Sequence, residues 1–239
     1  KGFKPLDYVV KNLLNNPINI WDLWEDDNEI ICTLTLQQKG AGNGKTYGIW
    51  KSISENLDKD VFIILTKQHT AKEVIKKELD DQTNRNEYHI VNNMIEIDDG
   101  KYGKQIIVKY KHNHSNRLCT VIIGTIDSFI YNLTTCNNSK TNFFENLLNT
   151  INEYGCDKVN QKTGSFKYAG NNIKLNRKTE VWIDEVQDLD INYYKAIKRL
   201  MLSNKIDVVA VGDKLQSLEY EDNFLVNIDN EIDKNIDVI

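Results

Sequence analysis

Residues 39–46 read Lys-Gly-Ala-Gly-Asn-Gly-Lys-Thr and follow directly on the apolar run 30–36. A chain that passes from a buried strand through closely spaced glycines into Lys45-Thr46 has few folds open to it. Glycine reaches the left-handed backbone region without steric cost. The turn therefore curls until several N–H groups point inward, and the following helix adds its positive N-terminal end. Such a concavity suits an anion. Against the phosphate-loop pattern G-x-x-x-x-G-K-[ST], Gly40, Ala41, Gly42, Asn43 and Gly44 would form the cradle, Lys45 would sit on the β- and γ-phosphates, and the Thr46 hydroxyl would hold Mg²⁺. Lys39 stands where the full pattern has its first glycine, while G-x-G-K-T is complete from Gly42 to Thr46.

Further apolar runs at 61–65, 120–123, 181–183 and 208–211 are short and nearly continuous, the composition of strands covered on both faces. Helices are predicted between them over 46–56, 70–79, 126–133 and 191–202. In the last, Ile191, Tyr194, Ile197 and Met201 recur at helical spacing. The alternation predicts an α/β fold, a mainly parallel sheet flanked by helices. With 239 residues, we expect one domain over 1–239. Two polar stretches break the rhythm and are expected as insertions. The first, 80–116, holds a strand pair at 88–97 and 105–110 around the turn signal Asp99-Gly100. The second, 132–178, holds an expected helix over 142–154.

A net charge of −5 supplies no global basic field, so contact with nucleic acid would need a local patch. Cys32, Cys119, Cys136 and Cys156 form no C-x-x-C pair, and a reduced intracellular compartment, cytoplasmic or nuclear, is expected. No apolar run approaches the ~20 residues of a membrane span, so we expect a soluble protein without a membrane partner. The chain opens on Lys1, and we expect it to be part of a longer protein.

The run 181–183 ends in Asp184-Glu185-Val186-Gln187-Asp188. Ligands of open α/β sheets gather at the carboxyl ends of strands, which would bring these acids to the phosphate loop. Asp184 then completes the Mg²⁺ shell, and Glu185 polarises the water that attacks the γ-phosphate. The run 208–211 likewise ends in a polar turn, Gly212-Asp213-Lys214-Leu215-Gln216-Ser217. Gln216 either bonds the γ-phosphate and the attacking water or is an exposed loop glutamine.

Together these segments resemble superfamily 1A helicases of the UvrD/Rep type. Gly40 to Thr46 resembles that family's motif I, Asp184-Glu185-Val186-Gln187-Asp188 its D-E-x-Q-D motif II, and Gly212-Asp213-x-x-Gln216-Ser217 its motif III. The resemblance covers roughly residues 30–220. It implies a RecA-like ATP-binding domain with Lys45, Glu185 and Gln216 as catalytic residues, Thr46 and Asp184 as Mg²⁺ ligands, and single-stranded DNA as partner. Segments 65–71 and 125–129 resemble stretches that border the family's DNA track, which makes Thr66, Thr125, Ser128 and Phe129 candidate DNA contacts; Phe129 fits a core position equally well. The family also places ATP between two RecA-like domains, and the second supplies arginine fingers. A second such domain is expected in the parent chain, and weak hydrolysis by this one alone.

Three departures stand out. Thr66 replaces an aromatic, Asp127 a histidine and Glu219 a tyrosine, with Tyr220 beside it. Base stacking on aromatics is worth about 1–3 kcal/mol per base. The alternative is therefore a nucleotide-dependent switch or binding module that has lost DNA translocation. Residues 19–28 contain no glutamine to read adenine.

Overall fold

The computed structural model describes residues 32–40, 42, 44–56, 58–84, 88–90, 95–98, 104–112, 117–133, 165–168, 171–217 and 223–231. The helix expected over 142–154 and the residues Glu219 and Tyr220 lie outside them.

Each apolar run contributes residues to a strand, the first of them only from Leu34 on. In chain order the strands are β1 (Leu34–Gln38), β2 (Val61–Thr66), β3 (Tyr88–Ile90), β4 (Ile95–Asp98), β5 (Lys104–His112), β6 (Leu118–Thr125), β7 (Ser165–Tyr168), β8 (Asn171–Lys174), β9 (Thr179–Ile183) and β10 (Asp207–Gly212). The helices are α1 (Lys45–Glu55), α2 (His69–Asn84), α3 (Ile126–Leu133), α4 (Ile191–Asn204) and α5 (Phe224–Glu231). One sheet runs in the order β1-β10-β9-β2-β6-β5-β3, with β4 also on β5. Strands β1, β10, β9, β2 and β6 are mutually parallel. They present their carboxyl ends along one rim, as the alternation of strands and helices demands.

Alternation within the strands sorts side chains to two buried layers. Phe62 and Ile64 of β2 join Ile49, Trp50 and Ile53 of α1 and Ile75 and Leu79 of α2. Ile63 and Leu65 face the other way, into a core with Phe129 and Ile130 of α3, Ile197 and Leu200 of α4, and Leu225 and Ile228 of α5. Trp50 is fully buried and its indole N–H donates to Ile75 O at 3.1 Å. That bond removes the penalty an unpaired buried donor would carry. Burial of each large apolar side chain in these layers contributes about 1.5–3 kcal/mol.

The two polar stretches differ in placement. Within 80–116, α2 runs on to Asn84 and β5 pairs antiparallel with β6, from Ile106↔Ile123 to Lys111↔Leu118. The strands of this stretch thus extend the main sheet instead of standing off it. β3 and β4 both pair with β5, Ile90 opposite Tyr110 and Ile95 opposite Ile107. Within 132–178, β7 and β8 form a separate two-stranded sheet. Tyr168 anchors it to the core, its ring edge-on to Phe129 with centroids 5.3 Å apart.

Candidate active site

Sheet order decides which loops meet. β10 lies between β1 and β9, so the glycine-rich loop after β1, the acids after β9 and the turn after β10 open on one stretch of the rim. Gln38 pairs with Gly212, and the Lys39 N–H donates to Gly212 O at 3.0 Å. The loop is thereby fastened to β10 at its first residue.

Gly42 and Gly44 take φ of 72° and 66°, the left-handed region. A Cβ on Gly42 would meet nothing within 4 Å, so backbone conformation and not space requires glycine there. Gly44 caps α1, and Lys45 and Thr46 open the helix at its positive end. Gly40 lies between these anchors; Ala41 and Asn43 fall outside the described residues. Lys39 turns its side chain onto α1, where a Cβ on Gly48 would collide with its Nζ.

Lys45 crosses to the acids. Its Nζ donates to Glu185 Oε1 at 2.6 Å and Oε2 at 2.7 Å. Glu185 has φ 55° and ψ 48°, a backbone that costs a residue with a Cβ about 1–2 kcal/mol. The bonds around it hold it there: its N–H donates to Asp184 Oδ1 at 3.0 Å, Asp188 N–H donates to its carbonyl at 3.0 Å, and Gln187 Nε2 donates to Oε2 at 2.6 Å. Gln187 reaches further, for its Oε1 accepts the Asp213 N–H at 3.1 Å. Asp213 caps the 3₁₀ turn Lys214–Gln216, accepting from Leu215 N–H at 3.0 Å and from Gln216 Nε2 at 2.7 Å. Gln216 itself is exposed at the rim.

Asp184 is buried beneath Glu185, 6% exposed. Burial and then the Glu185 charge push its carboxyl up to about 6, with Lys45 pulling the other way. Asp188 is raised by the same causes in the same order. Among the described residues only the Glu185 N–H donates to the Asp184 side chain, which leaves a buried carboxylate short of positive partners. Hydroxyl and carboxylate oxygens are the hard donors that Mg²⁺ takes, together with substrate phosphates. Thr46 and Asp184 fit that ion. Among the described residues no group of three or more His, Cys, Asp or Glu is placed to hold a metal ion by itself, so the remaining ligands would come from nucleotide and water.

The four residues expected along a DNA track are instead turned inward. Thr66 and Ser128 are 0% exposed, Thr125 3% and Phe129 0%. Thr66 Oγ1 donates to Gln68 O at 2.9 Å, and Thr125 Oγ1 accepts the Ser128 N–H at 3.2 Å, closing the first turn of α3. Their hydroxyls serve backbone groups at strand ends, and Phe129 takes the core position that its spacing also allowed.

A polar cluster that sequence reading missed lies at the same rim. Lys67 Nζ is 3.3 Å from Asp127 Oδ1, donates to Tyr193 Oη at 2.5 Å and sits 4.4 Å from the Tyr193 ring centroid. The Tyr193 hydroxyl donates to Asp127, and burial followed by that carboxylate's charge pushes the phenol up. The only signal for it was Asp127 in place of the histidine expected from the resemblance.

A family model described as an AAA domain matches residues 30–221. The match takes in every residue of this site. No curated protein matches the chain.

Proposed function

The chain belongs to the AAA-domain family, a P-loop nucleoside-triphosphatase domain found in UvrD/Rep-like helicases, and we propose that it is the ATP-binding domain of a DNA helicase or translocase. Its α/β RecA-like fold and AAA-type nucleotide-binding domain supply the ATP-dependent frame. The observation that carries the reading is the meeting of Lys45, Glu185 and the Asp213-capped turn of Gln216 through hydrogen bonds across three strand ends. Transfer of the γ-phosphoryl group to water needs cationic stabilisation, a proton acceptor and a group that orients the nucleophile.

In this reading Lys45 neutralises phosphate oxygens and the loop N–H groups cradle them. Glu185 accepts a proton from water as the water oxygen bonds to the γ-phosphorus and the bond to the bridging oxygen breaks, leaving ADP and phosphate. Gln216 orients that water. Thr46 and Asp184 hold Mg²⁺, which neutralises phosphate charge when bound. A second RecA-like domain in the parent chain supplies the arginine that speeds the step, and opening and closing of the cleft drives movement along single-stranded DNA.

Glu185→Gln separates binding from turnover. The variant is expected to lose roughly 10²-fold or more in hydrolysis, the contribution of a positioned acid–base group. It should bind a fluorescent ATP analogue with Mg²⁺ at least as tightly as the parent, because Lys45 no longer has an ionised carboxylate to leave. Hydrolysis at the parent rate would remove Glu185 from the mechanism.

The second reading, a nucleotide-dependent switch without translocation, is favoured by the inward turn of Thr66, Thr125, Ser128 and Phe129 and by the pairing of Lys67 with Asp127. Titration with single-stranded DNA, with and without a non-hydrolysable ATP analogue, separates the two. Binding strengthened or weakened by nucleotide supports the motor; absence of binding in the full-length parent supports the switch.

A further inference from the structure

Gln187 is buried, 6% exposed, and spends both ends of its amide on groups of the site. The orientation of that amide is fixed by chemistry: the Asp213 N–H can only donate and the Glu185 carboxylate can only accept. The 3.1 Å contact with Asp213 N must therefore be made by Oε1, and the 2.6 Å contact with Glu185 Oε2 by Nε2. Gly212 keeps the space open, since a Cβ there would lie 2.8 Å from Gln187 Oε1. The result is an unbroken series of bonds from Lys45 through Glu185, Gln187 and Asp213 to Gln216. It joins residues of α1, the turn after β9 and the turn after β10.

We infer that Gln187 is a positioning residue through which the engagement of Lys45 is passed to Gln216. The inference rests on the nucleotide reading above. When Lys45 turns to a phosphate, Glu185 Oε2 loses one of its two donors, and the remaining one is Gln187. The carboxylate is then held by the amide that also holds the Asp213 backbone. Any shift of Glu185 toward an attacking water draws on the cap of the Lys214–Gln216 turn, and Gln216 is bonded to that cap. Glu185 and Gln216 thus take up their places on a γ-phosphate together. Long-range positioning of this kind needs a residue with a donor and an acceptor about one amide apart, which no apolar or singly functional side chain at 187 supplies.

Two variants test it. Gln187→Met keeps the length of the side chain and loses both bonds; Gln187→Glu keeps an acceptor for the Asp213 N–H and replaces the donor with a second negative charge beside Glu185. Binding of a fluorescent ATP analogue with Mg²⁺, turnover, and hydrogen exchange of the peptide covering 212–217 are measured for each. For Gln187→Met we expect affinity within about threefold of the parent and turnover lower by roughly tenfold or more, part of what a positioned acid–base group contributes. Exchange at 212–217 should be faster than in the parent and no longer respond to the analogue. Gln187→Glu should lose turnover similarly while keeping the parent's slow exchange at Asp213. A nucleotide response at 212–217 of parental size in Gln187→Met, with parental turnover, overturns the inference alone. If the parent chain itself binds no nucleotide, the reading on which the inference rests falls with it.

Discussion

Asp184 carries the least comfortable charge at the rim, and its discomfort can be read in stability. Burial first, and then Glu185, hold its carboxyl at about 6 in the folded chain against an ordinary 3.8. Between about pH 4 and 6 the folded state keeps a proton that the unfolded chain has released. Stability therefore falls as pH rises through that window. Asp184→Asn retains an acceptor for the Glu185 N–H and has no charge to bury. Without divalent cations, it should match the parent near pH 4 and exceed it by about 1–3 kcal/mol at pH 8. Urea unfolding of both proteins at the two pH values checks this, and an equal difference at both would show that Asp184 does not ionise in place. Residues such as Asp184, Glu185 and Lys45 were legible because their motifs are contiguous and their chemistry follows from residue type. The partners that fix them were not. Gln187 to Asp213 and Lys67 to Tyr193 are bonds across 26 and 126 residues, and no local pattern encodes which distant side chain a glutamine or lysine will meet.

Among elements, α4 shows how a helix is fixed at both ends, and how the rule that fixes it differs from the one that strains Glu185. Asp190 caps its start, its side chain accepting the Asn192 N–H at 2.7 Å. Lys205 ends it at φ 56°, ψ 45°, where its N–H donates to Met201 O. That is the left-handed closing position glycine usually fills. Lys205 is exposed, so Lys205→Gly should relieve the conformation and raise stability by about 0.5–1 kcal/mol after glycine's greater freedom in the unfolded chain is counted. Asp190→Ala should lower it by about 1 kcal/mol. Thermal or urea midpoints report both, and a Lys205→Gly variant no more stable than the parent would mean that the closing turn carries no strain. The elements themselves were well marked in sequence. The helix predicted over 126–133 is α3 to the residue, and the run 61–65 is β2 less one residue. Parallel strands buried on both faces cannot alternate with polar residues, so their runs stand out. β1 shows the limit: the apolar run 30–36 suggested an earlier strand, yet the ladder with β10 covers Leu34–Gln38 and carries two glutamines into it. Register there follows the neighbouring strand and the tether of Lys39 to Gly212.

For the described sheet as a whole, the two ends of the parallel strands have divided their work. The carboxyl ends hold the candidate site. At the opposite end, Asp207 ties its own segment to two others: its Oδ1 accepts from Thr33 N–H at 2.7 Å and Thr33 Oγ1 at 2.9 Å, and Lys59 pairs with it. Lys59 also donates to Arg177 O at 2.7 Å. The starts of β1, β2, β9 and β10 are thus tied by one partly buried cluster. Asp207→Ala would leave Lys59, 8% exposed, without its carboxylate and Thr33 without its acceptor. Breaking a buried pair by removing one partner costs about 3–5 kcal/mol, and because the Asp207 side chain is 22% exposed, about 2–4 kcal/mol is expected here. Nucleotide affinity should not follow. The cluster lies a strand's length from the Gly42–Lys45 loop, and independent sites that share no partners combine additively. Unfolding and Mg²⁺–ATP-analogue titration on the same preparation, at a urea concentration where the variant is still folded, measure the two quantities together. Affinity within about twofold of the parent despite lost stability would establish that the two ends act independently. A parallel loss of affinity would mean that the sheet transmits strain along its strands to the phosphate loop.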